Sequence, residues 1–503
     1  MPKHTSDRTR ASAALRWAAV GWLAGTAAVL GCGAGEGSQA GKPAGTAPAT
    51  AADVIEARSG SRLKARFVEG ECGARSLLEF YDSMLGTTCT FIPAGDGQVR
   101  CLPTRFTPST AEFADSECKT PVVMIGRPAC DKPDYIFRWD ISADRCSIVG
   151  RIYQAGERLE RTYNNWIAQR PDGRCSTLSF PAVSSDEAYL VGPEVPPATF
   201  VRAQRVPALA ASTAALVPMV LEAEDGARAP AGWDVGLGTS CDIVTATDNT
   251  LRCVPEPTTA PSSFTFSDAE CTVGVFINRA GCPAPRYGVR SRARTCSSSS
   301  DIFAVGEPIN TLYARSAGFC SPQQASSIGE YRAVGAIVPP DAFVALTEAM
   351  DEQGTSIKRR YVAAPGTPRV GAGLFNVRRN EICSPGTADG TNWRCEAPRT
   401  TPGGSYYADA ACTQPVWVAV QQTCPTTGVL YEETDEYACP PHRVLYQSSG
   451  PFTGPLFAHI TSFTADGKKL RGCQPTTIAP QQSATALTPI PDGEFPPLTV
   501  VER

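Results

Sequence analysis

Histidine is almost missing: there are three in 503 residues, and only His442 and His459 fall beyond residue 4. A Ser-His-Asp triad needs a positioned imidazole base and has only those two to draw on. The chain holds no Gly-x-Ser-x-Gly elbow, His-Glu-x-x-His pair, P-loop or EF-hand loop. Paired Cys-x2-Cys spacing is also absent, which sets zinc aside despite 20 cysteines. No cofactor or metal is implied. No apolar run reaches the roughly 20 residues that a membrane-spanning helix needs. Nor is there a basic excess: 46 Lys and Arg face 50 Asp and Glu for a net charge of −4, a poor footing for nucleic acid. The 44 Gly and 43 Pro work against long uninterrupted helices. What remains is a chain whose 42% hydrophobic content suffices for packed cores, and whose length suits about three domains of ~150 residues.

The start of the chain reads as a targeting segment. Lys3, Arg8, Arg10 and Arg16 precede an uncharged run from Trp17 to Leu30, the size and flanks of a signal-peptide core. That run ends Val29-Leu30-Gly31-Cys32, which resembles the lipobox of bacterial lipoproteins. The resemblance implies removal of residues 1–31 and a diacylglyceryl group, with palmitate, on Cys32. Residues 32–56 are small and polar, a flexible tether. Twenty such residues reach roughly 25 Å. Gly33 stands where an Asp would favour retention at the inner membrane, so the expected location is the cell outer membrane, with the lipid as the membrane contact.

Beyond Cys32, eighteen cysteines form three sets of six. They are Cys89, Cys101, Cys118, Cys130, Cys146 and Cys175; then Cys241, Cys253, Cys271, Cys282, Cys296 and Cys320; then Cys383, Cys395, Cys412, Cys424, Cys439 and Cys473. Neighbouring residues repeat with them. Arg100, Arg252 and Arg394 precede each second Cys, and Asp115, Asp268 and Asp409 precede each third. An apolar residue and two prolines close each unit, as Val195-Pro196-Pro197, Val338-Pro339-Pro340 and Phe495-Pro496-Pro497. This is triplication of a unit of about 145 residues. The repeats are bounded as 57–204, 205–347 and 348–503. Export to an oxidising compartment makes six cysteines per unit read as three disulfides within it. A bond across each first hairpin is favoured by Asp96-Gly97, Asp248-Asn249 and Asp389-Gly390 in the enclosed loops. Cys72 occurs in the first unit only, as a buried thiol or a partner that reshuffles that unit.

The local pattern is β throughout, with runs such as Pro121–Gly126, Gly274–Asn278 and Pro415–Val420. Segments such as Leu77–Leu85 and Pro207–Val217 fit short helices, but no repeat-wide 3.6 period runs through the units. The expected fold is therefore all-β, three homologous disulfide-stabilised repeats. Two arrangements fit: a propeller-like ring of six four-stranded blades, or three sandwich or barrel domains in tandem, joined at 205–215 and 348–357.

The repeated Arg and Asp triplets are the strongest polar constellation. They would line a shared channel or contact one ligand per unit; equally, they would form a structural ion pair or cap a turn. Trp139, Trp166, Trp233 and Trp393 would serve as glycan platforms or as core. With the lipobox, tether and three aromatic-Ala/Ser-Asp cysteine units together, the chain resembles uncharacterised Cys-rich repeat lipoproteins of myxobacteria over about residues 57–503. The resemblance brings no activity and no functional residue beyond Cys32. Two function classes stand: a non-catalytic envelope lipoprotein that binds a protein or glycan or acts as a scaffold, and a secreted hydrolase acting on polysaccharide.

Overall fold

Alternation of core-facing and solvent-facing side chains begins at Leu63, where Leu63, Ala65 and Phe67 turn inward and Lys64 and Arg66 turn out. The computed structural model describes residues 54–503 except 105–111, 127–132, 145, 160–165, 170–174, 179–185, 210–214, 237, 257, 263, 293–298, 317–318, 326–328, 388–391, 397–405, 421–429, 436–441, 464–468 and 480–481. Cys32 and the tether up to residue 53 therefore lie outside the described residues. Among those described, strands dominate, and the only helices are 3-10 turns, including Pro197–Thr199, Pro340–Ala342 and Asp492–Glu494. The protein is all-β. No described helix is long and apolar enough to cross a membrane. The helix expected at Leu77–Leu85 is not formed, since Arg75–Asp82 is a strand; of the one expected at Pro207–Val217, both ends belong to strands, Arg202–Pro207 and Leu216–Ala223, and residues 210–214 lie outside the described residues.

Fifteen strands make a continuous wall. In chain order they are β1 (Leu63–Glu69), β2 (Arg75–Asp82), β3 (Thr87–Pro93), β4 (Val99–Leu102) and β5 (Arg202–Pro207); β6 (Leu216–Ala223), β7 (Arg228–Val235), β8 (Cys241–Thr245), β9 (Leu251–Pro255) and β10 (Ala345–Met350); β11 (Ile357–Ala363), β12 (Arg369–Asn376), β13 (Glu381–Thr387), β14 (Trp393–Glu396) and β15 (Pro497–Glu502). Each but β7 pairs antiparallel with the next, and β15 pairs with β1. The remaining seam, β7 to β8, is closed by the Asp234–Ser240 bridge and by Val235 N–H donating to the Thr239 carbonyl. The wall is a ring of hydrogen bonds.

The ring turns where a strand changes partner part-way along. Thr87–Cys89 of β3 pairs with β2, and Thr90–Pro93 with β4. Likewise Glu381–Cys383 of β13 pairs with β12, and Ser384–Thr387 with β14. At the third corner the change falls at Ser240, just before β8. Each corner carries the first Cys of a set, bonded to the second: Cys89–Cys101, Cys241–Cys253 and Cys383–Cys395, with Cα atoms 5.1, 5.3 and 5.2 Å apart. The hairpin bridges are therefore formed as the loop sequences imply. Gly97 and Asn249 adopt the left-handed backbone that their turns require.

Between corners lie three four-stranded panels, β4-β5-β6-β7, β9-β10-β11-β12 and β14-β15-β1-β2. These stand in place of six blades. Every panel joins two consecutive repeats, and so does the core beneath it. Leu63, Phe80, Cys89 and Ala203 pack with Ala223 and Ala229; Trp233, Cys253 and Leu346 with Val362 and Val370; Leu374, Cys383 and Trp393 with Val68 and Ala74. Domains strung in tandem would each own a core, so that arrangement is not the one formed. The boundaries at 204/205 and 347/348 cut β5 and β10, because the supposed linkers begin with wall strands.

Between β4 and β5, β9 and β10, and β14 and β15 the chain leaves the ring to build a satellite. In the first and third repeats this is a seven-stranded sheet of matching order; in the second it is split into five-stranded and three-stranded sheets. The satellite docks on the wall through Ala94–Gly150 in the first repeat and Ala246–Ser300 in the second. A Cβ at residue 150 would lie 2.5 Å from the Phe137 ring, which explains the glycine there.

Candidate functional site

The repeated arginines sit where satellite meets wall. Arg100 Nε donates to Asp96 at 3.0 Å and its Nη1 to the Phe200 carbonyl at 2.7 Å. Arg252 makes the same pair, to Asp248 and, at 2.9 Å, to the Phe343 carbonyl. Arg394 occupies the matching place on β14, opposite Pro497. The acidic partner is thus the hairpin-turn Asp four residues earlier, not the second Asp triplet. Burial pushes the Asp96 carboxyl up, but Arg100 and turn N–H groups outweigh it and hold the group low; at Asp248 the Arg252 guanidinium is the leading cause of the same direction.

The carbonyls that receive these arginines belong to Phe200 and Phe343, both buried and each just past a 3-10 turn. The third equivalent is Phe495, following Asp492–Glu494. Ile490 N–H donates to the Leu445 carbonyl as Val195 does to Ile152 and Val338 to Ile302. The third closing motif is therefore Ile490-Pro491-Asp492; Phe495-Pro496-Pro497 is five residues out of register, a shift hidden in the sequence because Pro496-Pro497 imitates the pair that Pro491-Asp492 lacks.

The Asp triplet clamps a turn. Asp115 accepts from the N–H groups of Glu117 at 2.9 Å and Lys119 at 3.1 Å, Asp268 from those of Thr272 and Val273 at 2.9 and 2.7 Å, and Asp409 from that of Thr413 at 2.7 Å. The N–H groups of Cys118, Cys271 and Cys412 donate to the carbonyls of these same aspartates. All three cysteines have φ of +54°, and each bonds the last Cys of its set, as Cys118–Cys175, Cys271–Cys320 and Cys412–Cys473. Led by the Lys119 N–H, these donors lower the Asp115 carboxyl to about 2; Asp268 and Asp409 are lowered also, first by the hydroxyls of Thr272 and Thr413. The Asp triplet, Arg100 and Arg252 thus hold the fold.

One bridge contradicts the expectation that all bonds stay inside a unit. Cys146, fifth of the first set, bonds Cys282, fourth of the second, with Cα atoms 5.3 Å apart. Cys72 is exposed and disulfide-bonded, not a buried thiol. Cys130, Cys296, Cys424 and Cys439 lie outside the described residues.

This chain belongs to a family of unknown function, DUF7481. The match covers residues 44–341. No curated protein and no solved structure matches the chain. Membership in DUF7481 brings no activity, so the candidate surface comes from the geometry. Trp233 and Trp393 are core, whereas Trp139 is 54% exposed and stands edge-on against Phe137 at 4.7 Å. Ile141 and Ile148 pair directly and continue that face outward, both about half exposed. Sequence reasoning missed the two isoleucines because strand residues of this kind read as core. His442 and His459 lie on strands His442–Pro451 and Leu456–Phe463, separated in the sheet by three others, so the backbone does not bring them together. The carboxyl of Glu256 is raised, by burial first and by Asp242 beside it, against a Ser240 hydroxyl that lowers it.

Proposed function

We propose that this protein is a non-catalytic component of the bacterial cell envelope that binds or scaffolds a protein or glycan partner. The observation that carries the reading is the fate of the repeated polar residues. Arg100, Arg252, Asp115, Asp268 and Asp409 direct their side chains to turns and carbonyls of the fold. Several large apolar side chains on the satellites are exposed, among them Phe264, Phe319, Trp139, Ile141 and Ile148. The basic start, apolar run and lipobox-like Cys32, together with the likeness to myxobacterial repeat lipoproteins, support export and a lipid anchor in the outer membrane. A hydrolase reading gains little from Glu256 and Asp242. Glycosidases use two carboxyls about 5–9.5 Å apart, whereas the carboxylate of Glu256 is taken up by the Ser240 hydroxyl.

The test is a glycan and protein-ligand array on the soluble body, residues 53–503, beside its Trp139→Ala form. A ligand that binds the first at least tenfold more tightly than the second supports the reading. Turnover of a polysaccharide that Glu256→Gln abolishes would replace it with the hydrolase.

A further inference from the structure

The strand Tyr135–Ile141 ends the first satellite sheet: it pairs with Ile148–Leu159, and among the described residues no strand lies beyond it. Ser142 N–H donates to the Ser147 carbonyl, and Ala155 N–H to that of Asp134, so the even-numbered residues turn their peptide groups into the hairpin. Those of Phe137, Trp139 and Ile141 therefore point outward. The Ile141 N–H is met only locally, by the Asp140 carboxylate at 2.8 Å. Arg138 and Asp140 alternate onto the face opposite Trp139 and Ile141. An open edge of this kind is a template for another strand.

Charge decides which strand fits. The hairpin registers set Arg138 and Asp140 level with Arg290 and Arg292 in the second satellite, and with Glu433 and Asp435 in the third. Two copies of the second edge, paired antiparallel, would oppose Arg290 to Arg292, and two of the third Glu433 to Asp435; like charges directly opposite repel. Thr258–Thr259 also covers part of the second edge, at Tyr287 and Gly288, level with Tyr135 and Ile136. Of the three, the first edge alone complements itself, with Arg138 opposite Asp140.

We propose that two copies of this chain join edge to edge along residues 137–141, about a two-fold axis at Trp139. Such a contact uses one patch twice. In this register Trp139 meets Trp139 and Phe137 meets Ile141 of the other copy, so the outward peptide groups of all three residues are paired. The Ile141 N–H passes to the other copy's Phe137 carbonyl. That frees one Asp140 oxygen for Arg138 across the axis, while the second stays with Arg151. The Arg–Asp pairs fall at the narrow positions of the ladder, where Cα atoms stand about 4.5 Å apart. The inference rests on the binding function proposed above and names a second copy as the partner for its surface.

The experiment is sedimentation equilibrium of residues 53–503, which hold every described element, over about three decades of concentration. A monomer–dimer equilibrium is expected. Arg138→Asp sets Asp opposite Asp twice and should weaken the dimer about tenfold or more. Adding Asp140→Arg restores opposite charges at both places and should recover most of the affinity, which a misfolded variant would not do. A monomer at every concentration, a dimer indifferent to Arg138→Asp, or a double variant no better than the single one overturns the proposal. A monomer that still binds an array ligand through Trp139 overturns the dimer and leaves the binding function standing.

Discussion

The most informative residues are those that looked like a site and proved to be clamps. Asp115 has a carboxyl lowered to about 2 by the turn N–H groups it accepts from, and Asp268 and Asp409 are lowered in the same way. A group whose folded value lies below its unfolded one, near 3.8, adds stability above that value and loses it as pH falls through the folded one. Thermal melting followed from pH 5 to pH 2 should therefore decline steeply below about pH 4, and the Asp115→Asn, Asp268→Asn, Asp409→Asn protein should show a flatter profile. Arg100 is a second case. Arg100→Ala leaves a buried carbonyl and the Asp96 carboxylate without it, and should cost about 1.5–3 kcal/mol in denaturant unfolding. Cys72 is disulfide-bonded. Labelling with a palmitate analogue should tag the protein, and Cys32→Ala should remove the tag; label retained in that variant would contradict the lipid anchor.

At the level of elements, the hairpin corner is the unit to perturb. Each first Cys sits where a wall strand changes partner, so its bridge fixes a bend as well as a loop. Replacing Cys89 and Cys101 together by Ala should lower stability by about 2–4 kcal/mol. Phe343→Ala, which empties the buried junction between the second satellite and the wall, should cost about 3–5 kcal/mol. Denaturant titrations check both. These corners were legible in the sequence, since an Asp-Gly or Asp-Asn turn between cysteines twelve apart leaves little other choice. The strand at Pro415–Val420 and the all-β class were legible for the same local reason. The ring was not. Spacing tells how far apart two cysteines are along the chain but not which repeat folds over which, so Cys146–Cys282 and the exchanged panels stayed hidden. The aspartates cap a turn, one of the readings offered for them, whereas the arginines pair not with these aspartates but with the hairpin-turn Asp four residues earlier. Their true partners, a backbone carbonyl 100 residues away and a local turn, carry no side-chain signature.

For the whole molecule, shared cores set the behaviour. A fragment of residues 205–347 keeps Trp233 and Leu346 but loses Val362 and Val370, which complete their cluster. Expressed in an oxidising compartment, it should show no sharp, reversible thermal transition, whereas residues 53–503 should melt in one. An independent, matching transition in the fragment would contradict the exchanged panels. The seam between β15 and β1 has a further consequence. Arg503 N–H donates to the Ala65 carbonyl, its guanidinium meets Glu69, and the Ser59 hydroxyl meets the Arg503 carbonyl. The two ends of the ring thus lie side by side, and the peptide order round the circle has no privileged beginning. A circular permutant that starts at Leu216, ends at Pro207 and joins Arg503 to Val54 by a flexible linker keeps every wall pairing, that of Val54–Ile55 with β12 included. It should form the Cys89–Cys101, Cys241–Cys253 and Cys383–Cys395 bridges and melt close to the parent.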